Sequence, residues 1–131
     1  VHLGPDALEI SEEDFLMNAK GRKTTIKGFL LNQKFVAGIG NLYADEICYQ
    51  TQVTPNSVVG KIPKKKLKEI YAAMNRILRT AIDKSAHYSD YPDDWFWKSR
   101  NKKEKSKNDN ILVSKVAGRT TYHVKGYQKK Y

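Results

Sequence analysis

The chain has 131 residues, with 24 lysines and arginines against 14 aspartates and glutamates, so its formal net charge is +10. This length suits one domain, or one domain with a small appendage. No run of about 18 apolar residues and no cleavable apolar leader is present, which argues against transmembrane and secreted classes. The single cysteine, Cys48, excludes an internal disulfide framework and a zinc site built on paired thiolates. We therefore expect a cytoplasmic protein that binds neither a membrane nor a cofactor.

The excess positive charge lies mostly in the last third of the chain. Residues 1–92 carry 13 basic and 10 acidic side chains, whereas residues 93–131 carry 11 and 4. Apolar residues such as Trp95, Ile111 and Tyr122 interrupt the lysines, and such residues favour a folded surface over a disordered tail. The charge therefore favours binding to a polyanion such as nucleic acid, and a merely solvated basic face is the alternative. The first residue is Val1 and not Met, so we expect a processed chain or an excised fragment.

Apolar periodicity and capping signals predict four helices in residues 1–92. They are a short helix after Ser11, a second from Thr24 or Thr25 to Gln33, a third from Leu42 to Gln50 and a fourth from Lys64 to Ala86. Ser11 and Asp14 resemble a capping box, and Pro63 occupies a position suited to the first turn of the fourth helix. One face of that fourth helix is predicted to be buried and consists of Leu67, Ile70, Tyr71, Met74, Ile77, Leu78, Ala81 and Ile82.

From Ile111 the pattern changes to that of strands. The segments 111–116 and 120–124 are rich in β-branched and aromatic residues, and Ala117-Gly118-Arg119 lies between them. This pattern predicts a β-hairpin with Arg119 at or beside its turn. Because two strands are marginally stable alone, we expect the hairpin to pack against the helices through a group of aromatic residues. These residues are Tyr88, Tyr91, Trp95, Phe96 and Trp97. The predicted fold is therefore mainly α, with a helical domain at 1–92 and a basic β-hairpin unit at 93–131.

Two glycines precede the third helix, in Gly38-Ile39-Gly40-Asn41. Glycines let an anion approach the backbone, and a helix start offers unpaired N–H groups and a partial positive charge. The motif therefore favours a phosphate site with Asn41 as N-cap. The alternative is a tight interhelical turn with no ligand.

The remaining polar residues form no complete catalytic group. Arg119 could clamp a phosphate from the hairpin, although an ordinary exposed turn arginine is the commoner case. Asp45 and Glu46 are adjacent on a helix, so their side chains diverge by about 100° and make a poor acid–base pair. Cys48 is interpreted as a small core residue. The histidines have no metal-ligand spacing, and the Lys64–Lys66 run is interpreted as a solvated helix face.

Several segments together resemble the formamidopyrimidine-DNA glycosylase and endonuclease VIII family. They are Leu3-Gly4-Pro5-Asp6-Ala7-Leu8, Ile26-Lys27, Leu30-Leu31-Asn32-Gln33, Val36-Ala37-Gly38-Ile39-Gly40-Asn41-Leu42-Tyr43-Ala44-Asp45-Glu46-Ile47, Val53-Thr54-Pro55 and Val116-Ala117-Gly118-Arg119-Thr120-Thr121-Tyr122. In order and spacing they match that family's helix-two-turn-helix domain and the hairpin of its C-terminal zinc finger.

The resemblance implies base excision repair, in which the family excises oxidised bases and cleaves the backbone at the abasic site. It implies that Asn41 and Arg119 hold the phosphate beside the flipped-out nucleotide, with Lys27, Gly38 and Gly40 along the same strand. The implied partner is double-stranded DNA with an oxidised base or an abasic site. We expect the protein to be monomeric.

Two departures from the family pattern matter. Its four zinc-binding cysteines correspond to Glu104, Lys107, Val124 and Tyr127, so we expect no zinc and a hairpin held by Tyr122, Val124 and Tyr127. The resemblance also implies a nucleophilic N-terminal proline on a preceding domain, and the sequence begins after that domain. We therefore predict no catalytic residue in this chain.

Two alternative functions remain open. One is a non-catalytic nucleic-acid module, such as a helix-hairpin-helix or a ribosomal helix-two-turn-helix. The other is a protein-interaction domain whose lysines only make it soluble.

Overall fold

A computed structural model describes residues 6–32, 36, 38–84, 87–100 and 110–131. Its helices are α1 (Glu12–Ala19), α2 (Ile26–Leu31), α3 (Asn41–Gln50), α4 (Lys64–Asp83) and α5 (Phe96–Arg100), and its strands are β1 (Ile111–Val116) and β2 (Arg119–Val124). Single turns of 3₁₀-helix lie at Val59–Lys61 and Tyr88–Asp90. The predicted order of helices followed by a hairpin is confirmed. The sequence pattern did not predict the five-residue helix α5.

Side-chain caps fix the starts of the first two helices. The Ser11 hydroxyl accepts a hydrogen bond from the Asp14 amide, and the Thr25 hydroxyl accepts one from the Gly28 amide. Each bond satisfies an N–H group that has no partner within its helix. The predicted end of the second helix at Gln33 and that of the fourth at Ala86 fall outside the described residues.

The predicted cap of α3 is wrong by one residue. Gly40 is the N-cap, with extended backbone angles, and its carbonyl accepts the Ala44 amide at 3.0 Å. Asn41 is instead the first helical residue, and its side chain reaches the hairpin. Nothing in the sequence around Asn41 indicates that its side-chain amide bonds to a distant strand instead of capping the helix.

The core lies between α4 and the shorter helices. α4 packs against α1 and α3, and α2 packs against α3. The rings of Phe29 and Tyr71 lie 5.6 and 5.5 Å from the ring of Phe15, and the Tyr71 hydroxyl donates to the Ile10 carbonyl at 2.6 Å. The predicted α4 face is buried or half-buried apart from Ile82, which is 62% exposed because it lies in the last turn of the helix.

β1 and β2 form a two-stranded antiparallel sheet with Val116 opposite Arg119. The turn consists of Ala117 and Gly118, both with positive φ (54° and 74°), which is the backbone of a type I′ turn. Arg119 is therefore the first residue after the turn, as predicted.

Aromatic and polar contacts both join the C-terminal region to the helices. The aromatic residues of segment 91–97 pack on α3: Phe96 stacks on Tyr49 at 4.7 Å, and the Tyr91 and Tyr43 hydroxyls lie 2.6 Å apart. The described hydrogen bonds that join β2 to the helices come from side chains of α2 and α3. A free strand edge has unpaired backbone groups, and these polar side chains satisfy them. That the hairpin itself packs against the helices through the aromatic residues stays a prediction.

The C-terminal residues 128–131 run beside the segment that follows α3. Lys129 exchanges backbone hydrogen bonds with Gln52 and Thr54, at 2.7 and 2.9 Å, and Tyr131 accepts the Val58 amide. The side-chain amide of Gln128 bonds in both directions: its nitrogen donates to the Val53 carbonyl, and its oxygen accepts a hydrogen bond from the backbone amide of Val124. The end of the chain is thus fastened to the helical domain. Among the described residues, none of the helices combines the length and the apolar composition that crossing a bilayer requires.

Candidate nucleic-acid interface

The start of α3 is open towards solvent and has no side-chain cap. Gly40 is exposed and provides no capping hydroxyl or carboxylate for the first N–H groups of the helix. Gly38 has φ of +98°, a conformation that glycine adopts without strain. The turn into α3 therefore presents backbone donors and the positive end of a helix dipole, which together suit an anion.

The hairpin arginine lies beside this helix start. The Asn41 side-chain nitrogen donates to the Thr120 carbonyl at 3.1 Å, and Thr120 follows Arg119 directly. An amide NH₂ group has two donors, and this bond uses one of them. Arg119 is exposed, at the end of β2 nearest the turn. The structure thus places the backbone of Arg119 next to a carbonyl that bonds to Asn41, and a joint contact of Gly40, Asn41 and Arg119 with a phosphate stays a prediction.

The side chain of Arg119 lies on the sheet face that is turned towards the helices. Residues that alternate along a strand share a face, so Arg119 shares its face with Thr121. Thr121 is buried, and its hydroxyl accepts a hydrogen bond from the Lys27 ammonium group at 2.7 Å. The hydroxyl also donates to the Arg119 carbonyl at 2.9 Å. The backbone of Arg119 is therefore fastened to the helical domain.

Lys27, which the family resemblance places along the DNA strand, is buried in the structure. Its side chain is 0% exposed, and its ammonium group lies 2.8 Å from an Asp45 carboxylate oxygen. It also donates to the Thr120 carbonyl at 3.1 Å. Lys27 thus lies beneath the hairpin, between α2, α3 and β2. The burial of this ammonium group is tolerated because Asp45 provides a counter-charge and the hairpin provides hydrogen-bond acceptors.

Asp45 and Glu46 diverge as predicted, and each fastens a different element to α3. The second Asp45 carboxylate oxygen accepts the Tyr122 amide at 3.3 Å. Glu46 is buried and accepts the amides of Phe96 and Trp97, at 2.9 and 3.0 Å, so its carboxylate caps the N-terminus of α5. Sequence reasoning missed both roles, since neither residue stands near its partners in the chain. The one available signal was a pair of acids on the apolar side of a helix.

Two titratable groups near the interface have shifted pKa values. Burial, helped by the nearby Asp45 carboxylate, raises the pKa of Cys48 far above its ordinary value, so the thiol stays neutral. Burial lowers the pKa of His123, although Asp45 opposes that shift. Both shifts favour the neutral form of the side chain.

Two of the four positions that correspond to zinc ligands lie within the described residues. Val124 ends β2, and the ring of Tyr127 packs against that of Tyr49 at 5.0 Å. The predicted apolar contact of Tyr127 is therefore present. Glu104 and Lys107 lie outside the described residues. In the part of the chain that the structure describes, no group of three His, Cys, Asp or Glu residues is placed to hold a metal ion.

Comparison with known proteins identifies the family of this chain. The family model described as the formamidopyrimidine-DNA glycosylase H2TH domain matches residues 3–92. A formamidopyrimidine-DNA glycosylase of Solibacter usitatus is 41% identical over 92 residues, which cover 70% of this chain and 35% of that protein. One of Arabidopsis thaliana is 32% identical over 134 aligned positions, covering 98% of this chain and 34% of that protein. The chain thus spans about a third of the length of these relatives.

A solved structure has the same fold over nearly the whole chain. A Lactococcus lactis Fpg in complex with DNA containing an abasic site has a TM-score of 0.75 and 24% sequence identity, and the match covers 98% of this chain and 52% of that one. The match includes the hairpin as well as the helices. Because the family model matches more than half of the residues, the chain belongs to the formamidopyrimidine-DNA glycosylase family and contains its helix-two-turn-helix domain.

Proposed function

We propose that this chain is the DNA-binding portion of a base excision repair glycosylase with abasic-site lyase activity. It grips one backbone phosphate beside a damaged or abasic nucleotide. The chain contributes binding and positioning, and the excision chemistry belongs to the whole enzyme. A cytoplasmic, DNA-associated, monomeric protein is the corresponding prediction for its location and assembly.

The proximity of the α3 start to the hairpin arginine carries this proposal. The Asn41 side chain bonds to the residue that follows Arg119, so the backbone of Arg119 lies beside the first turn of α3. We propose that the helix N-terminus, the Asn41 amide and the Arg119 guanidinium group share one ligand. A phosphate oxygen is the acceptor that suits all three donors. Gly38 and Gly40 leave room for the sugar-phosphate backbone at the same turn.

Other features support duplex DNA over the two alternative classes. The net charge of +10 suits a polyanion. A ribosomal helix-two-turn-helix would not require the hairpin, whereas here the hairpin is bonded to α2 and α3 at the same turn. A protein-interaction domain with solubilising lysines gives no reason for Arg119 to lie beside an uncapped helix start.

The test is binding to a short duplex that contains a tetrahydrofuran abasic analogue, measured by fluorescence anisotropy at about 0.1 M salt. Asn41→Ala and Arg119→Ala should each weaken binding by roughly 1 to 3 kcal/mol, the range for losing a hydrogen bond to a charged group. Arg119→Ala should also flatten the slope of log K against log salt by about 0.9, because one phosphate contact is lost.

Lys65→Ala is the matched control, since it removes one positive charge from an exposed position in the first turn of α4. The adjacent Lys66 bonds to the Thr51 carbonyl, beyond the opposite end of α3 from Asn41. Lys65→Ala should leave the affinity nearly unchanged. Unchanged affinity in both Asn41→Ala and Arg119→Ala would refute the shared-phosphate model.

We also propose that these 131 residues bind DNA without excising a base. The predicted nucleophile is an N-terminal proline amine, which could form a Schiff base with the sugar, and no residue of the chain is assigned that role. Incubation with abasic duplex and borohydride should therefore give no covalent adduct. A trapped adduct would contradict this part of the proposal.

A further inference from the structure

A continuous series of contacts leads from the buried α2–α3 junction to the backbone of the hairpin arginine. The Asp45 carboxylate lies 2.8 Å from the Lys27 ammonium group, which donates to the Thr121 hydroxyl at 2.7 Å. That hydroxyl donates to the Arg119 carbonyl at 2.9 Å. The four residues connect an ion pair of the helical domain to the one hairpin residue that is proposed to contact phosphate.

The same ion pair also fixes the free edge of β2. Lys27 and Asn41 both donate to the Thr120 carbonyl, at 3.1 Å each, and Asp45 accepts the Tyr122 amide. α2 and α3 thus provide the hydrogen bonds that a third strand would otherwise provide. A slip of β2 by one residue would turn Arg119 to the opposite face of the sheet.

We propose that the buried Lys27–Asp45 pair positions Arg119 for its phosphate, and that Lys27 makes no contact with DNA itself. This inference rests on the proposed function. It assigns to Lys27 and Asp45 the role of positioning residues that act through Thr121 and the edge of β2. The full burial of both side chains supports this role, because a phosphate oxygen cannot reach a 0% exposed ammonium group without opening the hairpin.

The decisive variant replaces the ion pair with an apolar pair, Lys27→Met with Asp45→Leu. Substituting both members of a buried ion pair by apolar residues of similar volume is often neutral or stabilising, so the domain should stay folded, as checked by circular dichroism. The variant removes the three described hydrogen bonds that the pair makes with β2. Binding to the tetrahydrofuran duplex is then measured across a range of salt concentrations, with and without Arg119→Ala.

If the pair positions Arg119, the apolar-pair variant should bind about tenfold more weakly, with a salt slope flatter by about 0.9. Adding Arg119→Ala should then cause no further change, because the same phosphate contact is already lost. A slope flatter by about 1.8 in the combined variant would show that Lys27 binds a phosphate of its own, and would overturn the proposal. Unchanged affinity and slope in the folded apolar-pair variant would overturn it as well.

Thr121→Val tests the same proposal with a smaller change, should the apolar pair fail to fold. It removes only the hydroxyl group between Lys27 and Arg119 and should weaken binding about threefold, a part of the full effect. Thr51→Val is its control: Thr51 is also buried and bonds to the Ile47 carbonyl at the far end of α3. Equal affinities for Thr121→Val and Thr51→Val would argue against positioning.

Amide hydrogen exchange separates this proposal from the proposed function. If neither Asn41→Ala nor Arg119→Ala changes DNA binding, the shared-phosphate model fails, and the positioning role of the Lys27–Asp45 pair is judged from hydrogen exchange alone. In Thr121→Val, and in the apolar pair where it folds, the amides of β2 should exchange faster than in the parent chain, while those of α4 should not. If the β2 amides of these variants exchange as slowly as in the parent chain, the proposal that the ion pair positions Arg119 is wrong, whatever the DNA-binding result.

Discussion

Two adjacent acidic residues of α3 connect the helices to different parts of the C-terminal region. Asp45 bonds to Lys27 and to β2, whereas Glu46 accepts the first two amides of α5 and the side-chain amide of Gln50. Neighbouring residues on a helix point about 100° apart, so a single turn of α3 reaches both elements. Both carboxylates are buried, and this burial of charge is tolerated because Asp45 forms an ion pair with Lys27 and Glu46 accepts hydrogen bonds from amides.

Glu46→Gln should destabilise the protein by roughly 1 to 3 kcal/mol, because the new NH₂ group would face an amide donor and leave a buried N–H unsatisfied. Urea unfolding measures this loss. Glu69→Gln is the matched control: Glu69 is an exposed α4 residue paired with Lys66, and its loss should change the free energy of unfolding little. A Glu46→Gln variant as stable as its control would show that the α5 cap contributes nothing.

At the scale of elements, α2 departs from helix propensity. It has six residues and carries Gly28 in its first turn, where alanine would ordinarily be favoured. A Cβ atom built on Gly28 would lie 2.9 Å from the Thr25 hydroxyl, 3.0 Å from the Thr24 hydroxyl and 3.4 Å from the Ala117 Cβ. The glycine therefore preserves the Thr25 cap and allows the hairpin turn to approach α2.

Gly28→Ala should consequently lower stability by about 1 kcal/mol, the usual value of an N-cap, instead of raising it. Thermal unfolding is the measurement. In a Thr25→Ala background the cap is already absent, and the same substitution should cost less, which a double-mutant cycle would show. Stabilisation by Gly28→Ala would contradict this account of the close contact.

For the molecule as a whole, the two ends of the hairpin segment are fixed to the helices at separate places. The turn end meets α2 and α3 through Lys27 and Asn41, and the tail beyond β2 pairs with residues 52–58. Gln128 connects β2 to the segment after α3, because its side-chain amide bonds to both Val124 and Val53. The division of the chain at residue 92 into two domains stays a prediction, and these contacts indicate that the hairpin depends on the helices.

Removal of residues 128–131 should therefore destabilise the helical domain as well as the hairpin. At least three hydrogen bonds to segment 52–58 would be lost, worth about 1 kcal/mol each, so a loss of roughly 3 kcal/mol is expected in urea unfolding. Hydrogen exchange at Thr54 and Val58, whose amides bond to the tail, should quicken. Lys130→Ala, an exposed position in the tail, should behave as the parent chain does. Unchanged exchange at Thr54 and Val58 in the shortened chain would contradict this account.

The sequence by itself determined the order of helices and hairpin and the buried face of α4. These features depend on local periodicity and on turn residues, which can be read along the chain. A joint contact of Gly40, Asn41 and Arg119 with a phosphate stays a prediction. Only the tertiary structure decided that Asn41 bonds to the hairpin instead of capping α3, that Lys27 is buried, and that Asp45 and Glu46 fasten β2 and α5. Those roles depend on partners about 50 to 90 residues away, and no local pattern reports which buried charge finds which distant donor.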